Sequence, residues 1–113
     1  MHEMSLCHAI AEIVVDEARA AGAAGIRRVT LEIGVAAPVE IEAIRFCLPL
    51  CLADTVAAEA ELKIERPPLE IRCDGCGAIH HPPRATAPCP VCGAVGGDIL
   101  SGRQMRVVAL EAV

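Results

Sequence analysis

Aromatic side chains are almost absent from this sequence, which has one Phe and no Trp or Tyr among 113 residues. Stacking on unpaired bases or on a flat cofactor is therefore a poor basis for its function. Hydrophobic residues nevertheless make up 54% of the chain, so intrinsic disorder is excluded. Aliphatic side chains must fill the core, and the length suits one domain, or one domain with a small appendage.

Positive charge and long apolar runs are also scarce. Ten basic residues stand against 15 acidic ones, giving a net charge of −5, so phosphate backbones are poor partners and we expect no nucleic acid. The longest nearly apolar segment, residues 41–60, is interrupted by four charged residues, so no membrane span is predicted. The N-terminus lacks the basic start of a secretion signal, and we expect a cytoplasmic protein.

Hydrophobic periodicity predicts two helices and about four strands. Residues 4–21 carry apolar side chains at three- and four-residue steps, as an amphipathic helix does, whereas residues 26–33 and 60–66 alternate as strands do. Short strands are expected at 69–72 and 103–113. The second helix should begin near Pro38 or Val39, and Pro49 predicts a kink or an early end.

The predicted core combines one face of each element. Its members are Leu6, Ile10, Ile13, Val14, Ala18 and Ala21 from the first helix, Val29, Leu31 and Ile33 from the first strand, and Ile41, Ile44 and Leu48 from the second helix, with Leu52 as a further candidate.

Four of the seven cysteines form two Cys-x-x-Cys-Gly motifs. The first knuckle holds Cys73 and Cys76, the second holds Cys89 and Cys92, and twelve residues separate them. Two such turns supply a closed shell of four sulfurs, which suits a structural Zn²⁺ with no open catalytic position. Structural disulfides are less expected in the reducing cytoplasm. A thioredoxin-like redox pair uses a single Cys-x-x-Cys motif, whereas this chain has two. Rubredoxin-like iron or an iron–sulfur cluster would use the same ligands.

The other three cysteines, Cys7, Cys47 and Cys51, fall on the predicted helices. Cys47 and Cys51 are four residues apart and share a helix face. Two interpretations are open: a second soft-metal or redox site, or small buried hydrophobes. We expect the second, because free cysteine is commonly buried in that role.

Histidines offer further metal ligands. His80 and His81 precede two prolines and are expected at a solvated loop tip, although a labile metal ligand is the alternative; His8 should be exposed. His2 should leave Met1 in place, because methionine excision needs a small second residue. The terminal amine, the His2 amide and the His2 imidazole could then form fused chelate rings, with Glu3 as a fourth donor, which suits Ni²⁺ or Cu²⁺. A histidine near a terminus can also be accidental.

Several segments together resemble the HypA family, the nickel-insertion metallochaperones of nickel–iron hydrogenase maturation. The segments are Met1-His2-Glu3-Met4-Ser5-Leu6, Thr30-Leu31-Glu32-Ile33-Gly34, Ala43-Ile44-Arg45-Phe46-Cys47 and the two cysteine knuckles before a short final strand. The resemblance covers essentially the whole chain in the same order.

The resemblance implies an α+β fold, with two helices on a small mixed β-sheet and an inserted zinc-ribbon-like domain. The nickel-binding domain would span residues 1–68 plus 103–113, and the zinc-binding domain 69–102. It implies Ni(II) as transient cargo on Met1, His2 and Glu3, and structural Zn(II) on Cys73, Cys76, Cys89 and Cys92. The expected partners are a nickel-handling GTPase and the hydrogenase large-subunit precursor, with urease maturation factors as further candidates, and the chain would be a monomer or a homodimer.

Two rival functions stay open at this point. One is a zinc-ribbon module that binds proteins or nucleic acids without delivering nickel, and the acidic balance argues against its nucleic-acid form. The other is thiol-redox chemistry at one of the knuckles. No arrangement of catalytic residues and no phosphate-binding loop is recognisable, so we do not expect an enzyme.

Overall fold

A computed structural model of the protein describes residues 3–113. Within that range the elements are α1 (Glu3–Ala20), β1 (Ile26–Ile33), α2 (Ile41–Leu52), β2 (Glu61–Glu65), β3 (Glu70–Cys73), β4 (Ile79–His80), β5 (Gly97–Ser101) and β6 (Met105–Ala112). The strands form two three-stranded sheets, in the orders β2-β1-β6 and β4-β3-β5. The expected α+β class is confirmed. The described residues form two sheets, whereas one small sheet was predicted.

The chain divides into two compact units. The first contains the chain up to Leu31 together with Pro38–Ile64 and Arg106–Val113, and the second contains Glu32–Ala37 and Glu65–Met105. Independent domains bounded at 1–68 plus 103–113 and at 69–102 stay a prediction. Neither helix within residues 3–113 combines the length and the apolarity that crossing a bilayer requires.

The buried face of α1 is narrower than its sequence predicts. Its buried members are Cys7, Ile10, Ala11, Val14 and Ala18. The predicted polar face is exposed, but Ile13 is 47% exposed, and Ala21 is exposed as well. The small side chains of Cys7 and Ala11 occupy the centre of the buried stripe at the spacing of one helical turn. They rotate that stripe away from Ile13, so the prediction of Ile13 as core is wrong.

The central strand of the first sheet is β1, and its bounds match the predicted 26–33. Val29, Leu31 and Ile33 are each 1% exposed, as their alternation predicted. On the other face, Arg28 forms ion pairs with Glu61 at 3.4 Å and with Glu111 at 3.5 Å. These pairs join all three strands, although exposed ion pairs contribute little to stability. The strand therefore depends on its buried aliphatic face.

Helix α2 runs through Pro49 and ends at Leu52. Of the two outcomes predicted at that proline, the early end is wrong, and the kink stays a prediction. The helix begins at Ile41, a little after the expected Pro38 or Val39. Ile44 and Leu48 are fully buried and Leu52 is 5% exposed. Burial of these side chains on both sides of the proline offsets the lost backbone hydrogen bond, which costs about 3 kcal/mol or more.

The second sheet lies in the cysteine-rich part of the chain. Strand β3 pairs antiparallel with β4 and with β5. Ile71 within β3 and Leu69 directly before it are fully buried. The sequence predicted no strand between residues 73 and 102, so β4 and β5 were both missed. Both strands form by pairing with β3 rather than by any apolar alternation of their own.

Candidate metal centre

The four knuckle cysteines come together in the second unit. Their Sγ atoms all lie within 4.8 Å of one another. Cys73 ends β3, and the other three lie in the turns that follow. Cys73 and Cys89 are buried, whereas Cys76 and Cys92 are exposed. The arrangement is the one that the two Cys-x-x-Cys motifs predicted.

The two knuckles share one backbone design. In the first, the Gly77 amide donates to the Cys73 carbonyl at 2.9 Å, and in the second, the Gly93 amide donates to the Cys89 carbonyl at the same distance. Gly77 and Gly93 have φ angles of 76° and 77°, in the left-handed region that side chains disfavour. The glycine after each second cysteine is therefore required by the turn.

Backbone amides also point at the sulfurs. The Gly75 amide donates to Cys73 Sγ at 3.3 Å, and the Val91 amide donates to Cys89 Sγ at 3.4 Å. Such donors favour the thiolate over the thiol, because they stabilise negative charge on sulfur. Each knuckle thus prepares its first cysteine to act as a metal ligand.

The thiols of Cys89 and Cys92 do not ionise alike. Hydrogen bonds from the backbone amides of Cys92 and Val91 lower the pKa of the Cys89 thiol to about 7. The Ala94 amide also lowers the pKa of Cys92, but the Cys73 thiol, burial and the remaining cysteines outweigh it and raise that pKa to about 11. Crowded thiols oppose a second negative charge. A bound cation removes that opposition, so complete ionisation requires a metal.

The sulfur spacing fits a tetrahedral ion. Zn–S bonds of about 2.3 Å place the sulfurs of a regular tetrahedron about 3.8 Å apart. The Cys73–Cys92 and Cys76–Cys89 sulfur distances are 3.5 Å and 3.8 Å. Both pairs join different knuckles, as a shared metal requires, and neither is the within-motif pair of a thioredoxin-like site. All four cysteines are free thiols.

The predicted nickel ligands lie at or beyond the edge of the described chain. Met1 and His2 are outside the described residues, and Glu3 is the half-buried first residue of α1. The alternative ligands also differ from expectation. His80 is half-buried in β4 rather than at a loop tip, and both its ring nitrogens are buried without a hydrogen-bond partner among residues 3–113. The exposed His81 pairs with Glu70 at 3.2 Å, and His8 is exposed as predicted.

Comparison with known proteins identifies the family. The chain matches, over residues 1–112, the family described as hydrogenase/urease nickel incorporation, metallochaperone, hypA. The chain belongs to the HypA family. A hydrogenase maturation factor HypA from Azoarcus sp. is 44% identical over 110 residues, covering 97% of this chain and 96% of the relative. The corresponding factor from Geotalea daltonii is 36% identical over 113 residues and covers both chains completely.

The fold agrees with solved HypA structures. The solution structure of the Ni metallochaperone HypA from Helicobacter pylori matches with a TM-score of 0.72 and 23% identity, covering 100% of this chain and 98% of that one. Membership in the HypA family makes the protein a nickel metallochaperone of hydrogenase maturation, which handles metal rather than catalysing a reaction. Its four-cysteine cluster is a metal site in its own right.

Proposed function

We propose that this protein binds Ni(II) through Met1, His2 and Glu3 and delivers it to the large-subunit precursor of a nickel–iron hydrogenase. The observation that carries the proposal is that the one compact metal cluster within residues 3–113 does not suit the family's function, which is to carry nickel and release it. That cluster has four thiolates and no open position. A carrier must release its cargo, so the cargo site of a nickel-handling family is expected elsewhere.

The terminal donors suit that task. The amine, the His2 amide nitrogen and the His2 imidazole form fused chelate rings, and a planar set of nitrogen donors favours Ni(II). The imidazole and the amine have ordinary pKa values of about 6.5 and about 7.7–8.0, so protons compete with the metal near neutral pH. Glu3 is held by α1, which is anchored by buried side chains such as Cys7 and Ile10. Because protons compete for the imidazole and the amine, nickel bound here is releasable.

The second metal in the proposal is a structural Zn(II) on Cys73, Cys76, Cys89 and Cys92. The four sulfurs fit the size of the ion, and four thiolates are a common structural zinc set. The segment between β3 and β5 has little apolar side chain to bury, so metal binding supplies its folding energy. This zinc would hold the knuckles and take no part in delivery.

The partners follow from the family. Delivery requires the hydrogenase large-subunit precursor and, in the proposal, a nickel-handling GTPase that acts with the chaperone. The family description also names urease, so urease maturation factors are further candidate partners. We place the protein in the cytoplasm, together with these precursors. We expect it to be a monomer or a homodimer.

Calorimetric titration with Ni(II) tests the proposed ligands. His2→Ala should abolish tight nickel binding, because it removes the imidazole donor, and should leave the zinc content unchanged. A His80→Ala/His81→Ala variant is the matched control, because it removes two histidines that a terminal site does not use. Nickel affinity lost in the control and kept in His2→Ala would transfer the site to His80 and His81 and overturn the proposal.

A further inference from the structure

Three cysteines and one methionine outside the knuckles lie along the contact between α1 and α2. Cys51 Sγ is 3.7 Å from Met4 Sδ, and Cys7 Sγ is 4.0 Å from the carbonyl oxygen of Ile44. Cys47 lies between these two points, because it follows Ile44 by three residues and precedes Cys51 by four on the same face of α2. We call these four residues, Met4, Cys7, Cys47 and Cys51, the sulfur row.

Exposure changes along the sulfur row. Met4 is 42% exposed, and Cys7 at the far end is fully buried. Cys47 and Cys51 are half-buried between them. A small ion can therefore reach the row from solvent at Met4 and Cys51, and it finds a more enclosed environment towards Cys7.

Packing alone explains only part of this arrangement. A buried cysteine commonly acts as a small hydrophobe, and Cys7 fits that description. Cys47 and Cys51 do not, because they remain partly open to solvent and follow one another on a single face of α2. An exposed methionine contributes its thioether to the same line. Four sulfur-bearing side chains along one contact between two helices require a further explanation.

The electrostatics of the sulfur row favour a cation. Burial raises the pKa of Cys7 to about 11, with further contributions from Cys47 and Cys51. Burial and Cys47 also raise the pKa of Cys51. Burial and the neighbouring thiols therefore keep Cys7 and Cys51 protonated, and no basic side chain among these neighbours compensates a thiolate. A bound cation would do so, and each thiolate ligand would release one proton to solvent.

We propose that the sulfur row is a second metal site, selective for the soft monovalent ion Cu(I). Thiolate and thioether sulfurs together are the ligands that select Cu(I). None of the four side chains is an imidazole or a carboxylate, although the nearby Glu3 carboxylate also acts on Cys7. A sulfur-only ligand set argues against a harder divalent ion. Its three thiols do not form a compact cluster like that of the knuckles, whose sulfurs all lie within 4.8 Å of one another and which is the only such cluster within residues 3–113. Cu(I) accepts few sulfur ligands, so an open row satisfies it where a tetrahedral Zn²⁺ would not be satisfied.

Competition with the chelator bicinchoninate tests the site. The zinc-loaded, full-length protein with its native N-terminus is titrated with Cu(I) under anaerobic conditions. We expect the first equivalent to bind while the zinc is retained. A Cys47→Ser/Cys51→Ser variant should weaken that binding by more than about 100-fold, because loss of a mere supporting contact at a metal site already costs about 10- to 100-fold.

The matched control uses the other methionine with a known environment. Met4→Leu should weaken Cu(I) binding, because it removes the thioether while keeping the side-chain volume, whereas Met105→Leu in the second unit should not. X-ray absorption at the copper edge should show sulfur neighbours only, and the zinc edge should be unchanged. This readout holds even if the double serine variant does not fold.

Two outcomes would overturn the sulfur row as a copper site. One is equal Cu(I) affinity in the wild type and the double serine variant. The other is release of zinc by the first equivalent, which would place Cu(I) on the knuckles. His2→Ala should leave Cu(I) binding intact, so failure of the terminal nickel site and failure of the sulfur row are separate results.

Discussion

Substitution of the glycine that follows each knuckle tests whether the knuckle folds only when zinc binds. Gly77 has a φ of +76°, and a Cβ added there meets no atom within 4 Å. Gly77→Ala therefore introduces backbone strain and no clash. A left-handed conformation costs a non-glycine residue about 1–2 kcal/mol. If the knuckle is ordered only with the metal, this strain should weaken zinc binding by about 5- to 30-fold.

The second knuckle provides an internal repeat of the test. Gly93 has a φ of +77° and is equally open, so Gly93→Ala should produce the same loss. The double variant should lose about 2–4 kcal/mol, because the two strains fall on different turns. Gly77→Asn should be milder than Gly77→Ala, since asparagine tolerates the left-handed region.

Gly22 supplies the matched control. It lies in the turn after α1 with a φ of +66° and is also open, so Gly22→Ala introduces similar strain in the first unit. Its effect should appear in the unfolding temperature of that unit, by several degrees, with zinc affinity unchanged. Zinc affinity is measured by competition with a colorimetric chelator. Unaltered zinc affinity in both Gly77→Ala and Gly93→Ala would refute the reasoning, because it would mean that the knuckles are already ordered without metal.

Three further predictions concern the knuckles and the helical core. Cys89→Ala should strip the zinc and disorder the second sheet while the helical circular dichroism persists; metal analysis and the spectrum check this. Burial raises the pKa of the Cys7 thiol from 9.0 to about 11. Cys7 should therefore contribute stability at pH values below 9.0 and lose that contribution as the pH rises through about 11. The loss, up to about 2–3 kcal/mol, should disappear in Cys7→Ala when urea unfolding is followed against pH. Leu48→Ala should cost about 2–5 kcal/mol, because Leu48 is fully buried, whereas Leu50→Ala, at 57% exposure, should be nearly neutral in the same assay.

Elements with a strong apolar period were predictable from the sequence. The alternation of β1 gave its bounds, and the three-residue spacing of α1 gave its length to within a residue. The four-cysteine cluster followed from its motifs, because two short turns with a glycine after each can hardly place their sulfurs otherwise. These features depend on local chemistry that the sequence carries directly.

Features that depend on tertiary contacts were not predictable. Strand β4 has two residues and β5 begins at a glycine, so neither shows a period, and both exist because β3 offers hydrogen bonds. Burial of Leu48 and Leu52 carries α2 through Pro49 against the local preference. The sulfur row likewise needs two helices side by side, and each helix alone shows only one or two cysteines.

The most direct test of nickel carriage at the chain terminus is a Ni(II) titration of two proteins that differ by one residue added before Met1. The extension keeps every side chain and moves only the α-amine, so it tests chelation by the backbone end itself. The account predicts tight binding to the native form and a loss of at least about 100-fold in the extended form, with equal zinc in both. Equal nickel affinity in the two proteins would contradict it.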